Sequence, residues 1–164
     1  ITTVKTVLQR VSRAEVRVDG EVVGRIDKGI VALVGVERGD VPADAHITAR
    51  KLAGLRIFPG DKPMDRTVSD VGGGVLVISQ FTLAGNVRKG RRPSFDRAED
   101  PARAEPLYLA VAEALRRQDS GEGGGEIDGC GRLSDPALLV HDRDDSRLDA
   151  VVSPLNHGAG APIS

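Results

Sequence analysis

The chain has 164 residues, enough for one domain with a sizeable core. It carries 23 basic and 24 acidic residues, so any affinity for nucleic acid must come from local clustering and not from net charge. Three Phe, one Tyr and no Trp argue against an aromatic platform for single strands, and a lone cysteine, Cys130, excludes an intramolecular disulfide. No hydrophobic run reaches the length of a membrane span and the first residues lack a signal-peptide core, so the expectation is a soluble, cytoplasmic chain.

In chain order, residues 4–11 read as a first strand. Residues 14–18 and 21–26 flank Asp19-Gly20, a strong hairpin signal. Gly29 opens an apolar run to Val36 that suits a strand covered on both faces. Asp40 is placed to cap a helix over residues 42–55, with Pro42 near its first position and Ala45, Ala49, Leu52 and Leu55 on one face. Residues 56–58 leave it as a short strand. Residues 60–74 are irregular, anchored by Val68 and Val71, and Gly72-Gly73-Gly74 reads as a turn because no helix follows it.

The run Val75-Leu76-Val77-Ile78-Ser79-Gln80-Phe81-Thr82-Leu83 reads as a buried central strand with a polar end. A regular pleat would put Gln80 and Thr82 on the face of Leu76 and Ile78, and Ser79 and Phe81 on the other. Polar groups there are either satisfied by neighbours or open into a cleft. Soon after comes Lys89-Gly90-Arg91-Arg92-Pro93-Ser94-Phe95, preceded by Arg88. A solvated loop is one reading of this cluster. The other is a phosphate contact, since Arg forks match phosphate geometry without reading sequence. Pro101 starts a second helix whose face is Ala104, Leu107, Tyr108, Val111 and Leu115. The order β-β-β-β-α-β-β-loop-α predicts an α/β fold of the α+β type: a mixed, largely antiparallel sheet packed on two main helices.

From Asp119 the chain turns Gly- and Asp-rich, with brief apolar runs at 137–140 and 150–152 that give either two edge strands or partial disorder. The organisation is therefore residues 1–118 as the main domain and 119–164 as an atypical segment that either follows that domain or completes it.

Hydrolytic triads find little support. His46 falls on the first helix, His141 and His157 lie in the tail, and no Gly-x-Ser-x-Gly elbow occurs. Cys130 has no partner cysteine, and His141 with Asp142, Asp144 and Asp145 lacks calcium-loop spacing. No metal or cofactor is expected.

Several blocks then occur in one order: Gln9-Arg10-Val11-Ser12; Val18-Asp19-Gly20-Glu21-Val22-Val23-Gly24; the run from Gly29 to Val36; Ser79-Gln80-Phe81-Thr82-Leu83; the basic loop through Phe95; and Ala104-Glu105-Pro106-Leu107-Tyr108. Over residues 4–117 the chain resembles the D-aminoacyl-tRNA deacylases of the bacterial and eukaryotic type. The resemblance implies a homodimer, a sheet or barrel with two helices, and hydrolysis of the ester between a D-amino acid and the terminal adenosine of tRNA. Glycine mischarged on tRNA(Ala) is a further implied substrate. It assigns Ser79, Gln80, Phe81 and Thr82 to the reaction pocket, with Thr82 positioning and the ribose 2′-hydroxyl taking part. Arg10 supports the pocket, and Arg88, Lys89, Arg91 and Arg92 meet tRNA phosphates.

Two departures stand out. Ala84 replaces the Tyr that usually follows the Ser-Gln-Phe-Thr-Leu block. The family's Asn-x-Gly-Pro-x-Thr segment, whose cis Gly-Pro bond enters the partner subunit's pocket and excludes L-amino acids, has no counterpart, because the chain contains no Gly-Pro dipeptide. Its nearest echo is Asn156-His157-Gly158-Ala159-Gly160-Ala161-Pro162-Ile163-Ser164. A frame change after Gln118 and true divergence both fit the break. Two other readings follow: a tRNA-binding relative with lost chemistry or chirality filter, and an editing module working in trans with a synthetase.

Overall fold

Asp19 and Gly20 both take positive φ, 50° and 84°, which is the backbone of the tight hairpin turn that an Asp-Gly pair favours. The computed structural model describes residues 4–119, 138–140 and 148–154. β1 (Lys5–Val18) runs into this turn, and β2 (Glu21–Ile26) and β3 (Gly29–Gly35) return from it. Ala14 faces Ile26 and Val11 faces Gly29, so β2 and β3 answer β1 in one antiparallel register, with a bulge at Val16/Arg17. The two strands expected over residues 4–11 and 14–18 are thus one. Ser12 and Arg13 are exposed, and β1 runs on through them where its neighbours change from β3 to β2, with an irregularity between Val11 and Arg13 against β6 (Leu148–Pro154).

β4 (Gly74–Ser79) lies parallel to β3, from Gly29 beside Gly74 to Val34 beside Ser79. β5 (Leu138–Val140) adds a parallel strand outside β4, and β6 (Leu148–Pro154) runs antiparallel to β1 from Val18 back to Val11. The sheet order is β2-β1-β3-β4-β5, with β6 also on β1. The fold is the expected mixed sheet with two helices, antiparallel around β1 and parallel around β4. Of the two possibilities left for the tail's apolar runs, both runs contribute strands, and β6 pairs along residues 11–18 of β1.

The sheet buries both faces, which is why β3 and β4 are continuously apolar. Ile30, Ala32 and Val34 of β3 and Val75 and Val77 of β4 pack against α1 (Pro42–Gly54) and α2 (Pro101–Asp119). Val31, Leu76 and Ile78 pack with Val11, Ala14, Val16 and Ile26 from the same sheet, which curls over itself into a half-barrel. Phe58, Leu52 and Leu115 are fully buried on the helical side, each such side chain contributing about 1.5–3 kcal/mol relative to exposure. Val68 and Val71 anchor the irregular segment there as expected, and Gly72, at φ 61°, turns the chain into β4.

Three expectations are corrected. Residues 56–58 form no strand but a single antiparallel bridge between Phe58 and Arg66. Leu55 lies just past α1 as its C-cap and is exposed. Asp40 does not cap α1: Val41 is the N-cap and Asp44 reaches back to accept its N–H at 2.9 Å, as the N3 member of a capping box does. Asp40 instead accepts the Glu37 N–H at 2.8 Å and is buried.

Burial, and then the nearby Asp44, Glu37 and Glu99 carboxylates, push the Asp40 carboxyl above its usual range, against the lowering effect of the Glu37 N–H. A folded pKa above the unfolded one means that the protonated form is favoured by folding, and this stability is lost as pH rises through the folded pKa. Asp40→Asn keeps an acceptor for Glu37 N–H without the charge. It is expected to raise the denaturant midpoint at pH 7, with the gain shrinking as pH falls toward about 4. A gain that does not change with pH would assign the effect to packing.

Candidate active site at the end of β4

The strand that carries the pocket residues stops earlier than its sequence suggests. Gln80 N–H still donates to Val34 O at 2.8 Å, but Gln80 then departs from the pleat (φ −144°, ψ 89°) and the chain coils into a 3-10 helix, Phe81–Ala84. Leu83 N–H reaches back to Gln80 O at 3.3 Å and Gly85 N–H to Thr82 O at 3.0 Å. Gly35 makes this possible: a Cβ there would lie 2.8 Å from Leu83 Cβ and 2.9 Å from Gln80 O. The expected alternation of Gln80 and Thr82 against Ser79 and Phe81 therefore fails after Ser79. In its place Gln80 Nε2 donates directly to Thr82 Oγ1 at 2.5 Å. Ser79 and Gln80 are half-buried, while Phe81 and Thr82 are exposed.

The cationic loop is built as a closed finger. Asn86 and Ser94 pair backbone to backbone at 2.7 and 3.0 Å. Asn86 Oδ1 accepts the Arg88 N–H at 3.0 Å, and Gly90 supplies a positive φ of 74° at the tip. Arg88, Lys89, Arg91 and Arg92 are all exposed on it, and none has an ion-pair partner among the described residues. Ser94 Oγ donates to Asp96 Oδ2 at the exit. Just beyond Ser94, Phe95 meets Phe81 edge to face, ring centroids 5.4 Å apart at 65°, an arrangement that aromatic quadrupoles favour. The structure thus brings residues 79–82 and the basic loop into one corner.

Arg10 stands elsewhere. It faces Ile30, whose parallel neighbour is Val75, toward the end of β4 remote from Ser79. Its guanidinium donates to Ile57 O at 2.5 Å. His46 is exposed on α1. Cys130, His141, Asp142, Asp144, Asp145 and the segment from Asn156 to Ser164 lie outside the described residues. Sequence reasoning passed over Lys5, Gly35 and Glu37, all of which border this corner. Gly35 carried the one available signal, a glycine closing an otherwise apolar strand.

The fold and this corner define a small α+β domain that sets a polar strand end beside a cationic finger. The chain belongs to the D-Tyr-tRNA(Tyr) deacylase family, whose sequence model matches residues 7–126. It is 55% identical over 113 residues to a D-aminoacyl-tRNA deacylase of Symbiobacterium thermophilum, covering 68% of this chain and 75% of that one. A D-aminoacyl-tRNA deacylase of Halalkalibacterium halodurans is 54% identical over 114 residues, 69% and 78% of the two chains. Among solved structures, a c-Myc DNA unwinding element binding protein superposes with a TM-score of 0.72 at 29% identity, covering 90% of each chain. A probable eukaryotic D-amino acid tRNA deacylase superposes at 0.69 and 16% identity, over 93% of this chain and 95% of that one, a likeness of fold.

Proposed function

We propose that this chain hydrolyses the ester joining a D-amino acid to the terminal adenosine of tRNA, releasing free amino acid and tRNA. The observation that carries this reading is the contact between Phe81 and Phe95, 5.4 Å between centroids, which joins the polar turn to the cationic finger in a member of this family. Arg88, Lys89, Arg91 and Arg92 lie on the tRNA phosphates. Ser79, Gln80, Phe81 and Thr82 hold the aminoacyl end. Phe81 and Thr82 open a 3-10 helix, so their N–H groups have no acceptor within it and are available to a developing oxyanion. Thr82 Oγ1 is held by the Gln80 amide, which is no base, so Thr82 positions and the substrate's 2′-hydroxyl assists. Glycine on tRNA(Ala) fits the same corner because it brings no side chain.

The acting unit in this reading is a homodimer in the cytoplasm. Arg10 supports the pocket by the same resemblance, although within one chain it sits along the sheet from Ser79. No helix among the described residues is long and apolar enough to cross a membrane. The test is release of tyrosine from D-Tyr-tRNA by the purified protein. Retained tRNA binding without release would favour the second reading, a tRNA-binding relative with lost chemistry, which the missing Gly-Pro dipeptide motivates.

The finger gives a separate prediction. Replacing Arg91 and Arg92 together by alanine is expected to weaken tRNA binding and to flatten its log–log salt slope by about 1–2. The melting temperature should not move, because both side chains are exposed. Unchanged affinity at low salt would remove the finger from the interface.

A further inference from the structure

One carboxylate ties the parts of this corner together. Glu37 lies two residues past the end of β3, and its side chain is only 9% exposed. Lys5 Nζ, reaching from β1, lies 2.8 Å from Glu37 Oε1, and Arg97 Nε lies 3.6 Å from the same oxygen. Lys5 Nζ also donates to Leu83 O at 3.4 Å, inside the 3-10 helix. Lys5 pairs with Gly35 in the sheet, the residue on which that helix rests. The exit of the finger is fastened to the same place: Arg38 N–H donates to Arg97 O at 2.9 Å, and Glu99 N–H to Val36 O at 3.0 Å. Among the described residues, Lys5 is therefore the side chain that links the buried carboxylate to the turn carrying Phe81 and Thr82.

We propose that Lys5 is a positioning residue for the reaction: held by Glu37, it fixes the Phe81–Ala84 turn against the exit of the cationic finger. The inference rests on the deacylase reading for its kinetic consequence and on geometry alone for its structural one. A carboxylate as buried as Glu37 needs a close cation, and Arg97, 67% exposed and farther away, is the weaker partner. The Lys5 ammonium lies between the Glu37 carboxylate, as an ion pair, and Leu83 O, to which it donates. Small displacements of orienting groups lower turnover more than they lower binding.

The experiment compares Lys5→Met, which keeps the length of the stem, with Lys5→Arg, which keeps the charge. Lys5→Met is expected to lower kcat on D-Tyr-tRNA about tenfold with KM within about twofold, and Lys5→Arg to recover most of that loss. Amide exchange at Leu83 and Gly85 should quicken in Lys5→Met, a measurement that needs no substrate. An unchanged kcat, an effect confined to KM, or an arginine variant no better than methionine would overturn the kinetic role. If Lys5→Met does not fold, Glu37→Gln tests the same link by removing the charge that holds Lys5, with the same expected split. An inactive parent protein would count against the deacylase reading, and unchanged exchange at Leu83 and Gly85 would count against the tether.

Discussion

Thr82→Ala is expected to retain deacylation within about tenfold of the parent, while replacing the terminal 2′-hydroxyl of the tRNA with hydrogen costs on the order of 10²-fold or more. A threonine nucleophile needs a base within hydrogen-bond reach to take its proton. The partner observed for Thr82 Oγ1 is the Gln80 amide, donating at 2.5 Å. That bond occupies an acceptor site on the hydroxyl and offers no proton sink. His46, the one histidine among the described residues, is exposed on the first helix. The turn can orient and stabilise, and those effects survive loss of a single hydroxyl. The vicinal 2′-hydroxyl sits beside the reacting ester in the substrate itself, so its effective concentration is high without any protein group. Single-turnover rates on D-Tyr-tRNA with ordinary and 2′-deoxy termini make the comparison. A tyrosyl ester trapped on Thr82 would overturn the assignment.

The site was legible in the sequence as residue types and only partly as geometry. Blocks with strong local grammar came through: Asp19-Gly20 made its turn, Pro42 and Pro101 opened their helices, and the faces of both helices entered the core except at Leu55. The failures arose where a distant residue decides local conformation. Period-two alternation carried the central strand to Leu83, because nothing near Leu83 announces that it must rest on Gly35. Asp40 had the right chemistry for a cap, but Asp44 satisfied the N-cap amide from inside the helix and freed Asp40 for Glu37. The link between the pocket turn and the basic finger depends on one Phe-Phe contact and on the backbone pairing of residues 36–38 with 97–99. Neither has a local signal. Lys5 was invisible for the same reason: a lysine in a strand reads as a solvated position until its partners are seen 32 and 78 residues away.

Discrimination between D- and L-aminoacyl-tRNA is expected to be poor. Rejecting an L side chain requires a rigid wall near the substrate's α-carbon, so that the wrong enantiomer clashes. Among the described residues the corner is open: Phe81 is 42% exposed, Thr82 is exposed beside it, and the half-buried Gln80 binds Thr82 from the inner side. A wall must then come from residues 119–164 or from a second subunit. In the family that this chain resembles, it is a cis Gly-Pro pair, whose glycine adds no Cβ and whose proline fixes the carbonyls. This chain has no Gly-Pro dipeptide, and its nearest sequence echo, Ala161-Pro162, carries alanine in place of glycine. A steric difference of one methyl group is worth about 1–3 kcal/mol even in a well-formed pocket, and the described corner is not enclosed. D-Tyr-tRNA and L-Tyr-tRNA should therefore be hydrolysed at rates within about tenfold of each other. Parallel assays with the purified protein decide the matter. A D-preference of many hundredfold would show that residues 119–164 or a second subunit rebuild the filter in another form, and grafting a Gly-Pro pair in place of Ala161-Pro162 would then leave selectivity unchanged.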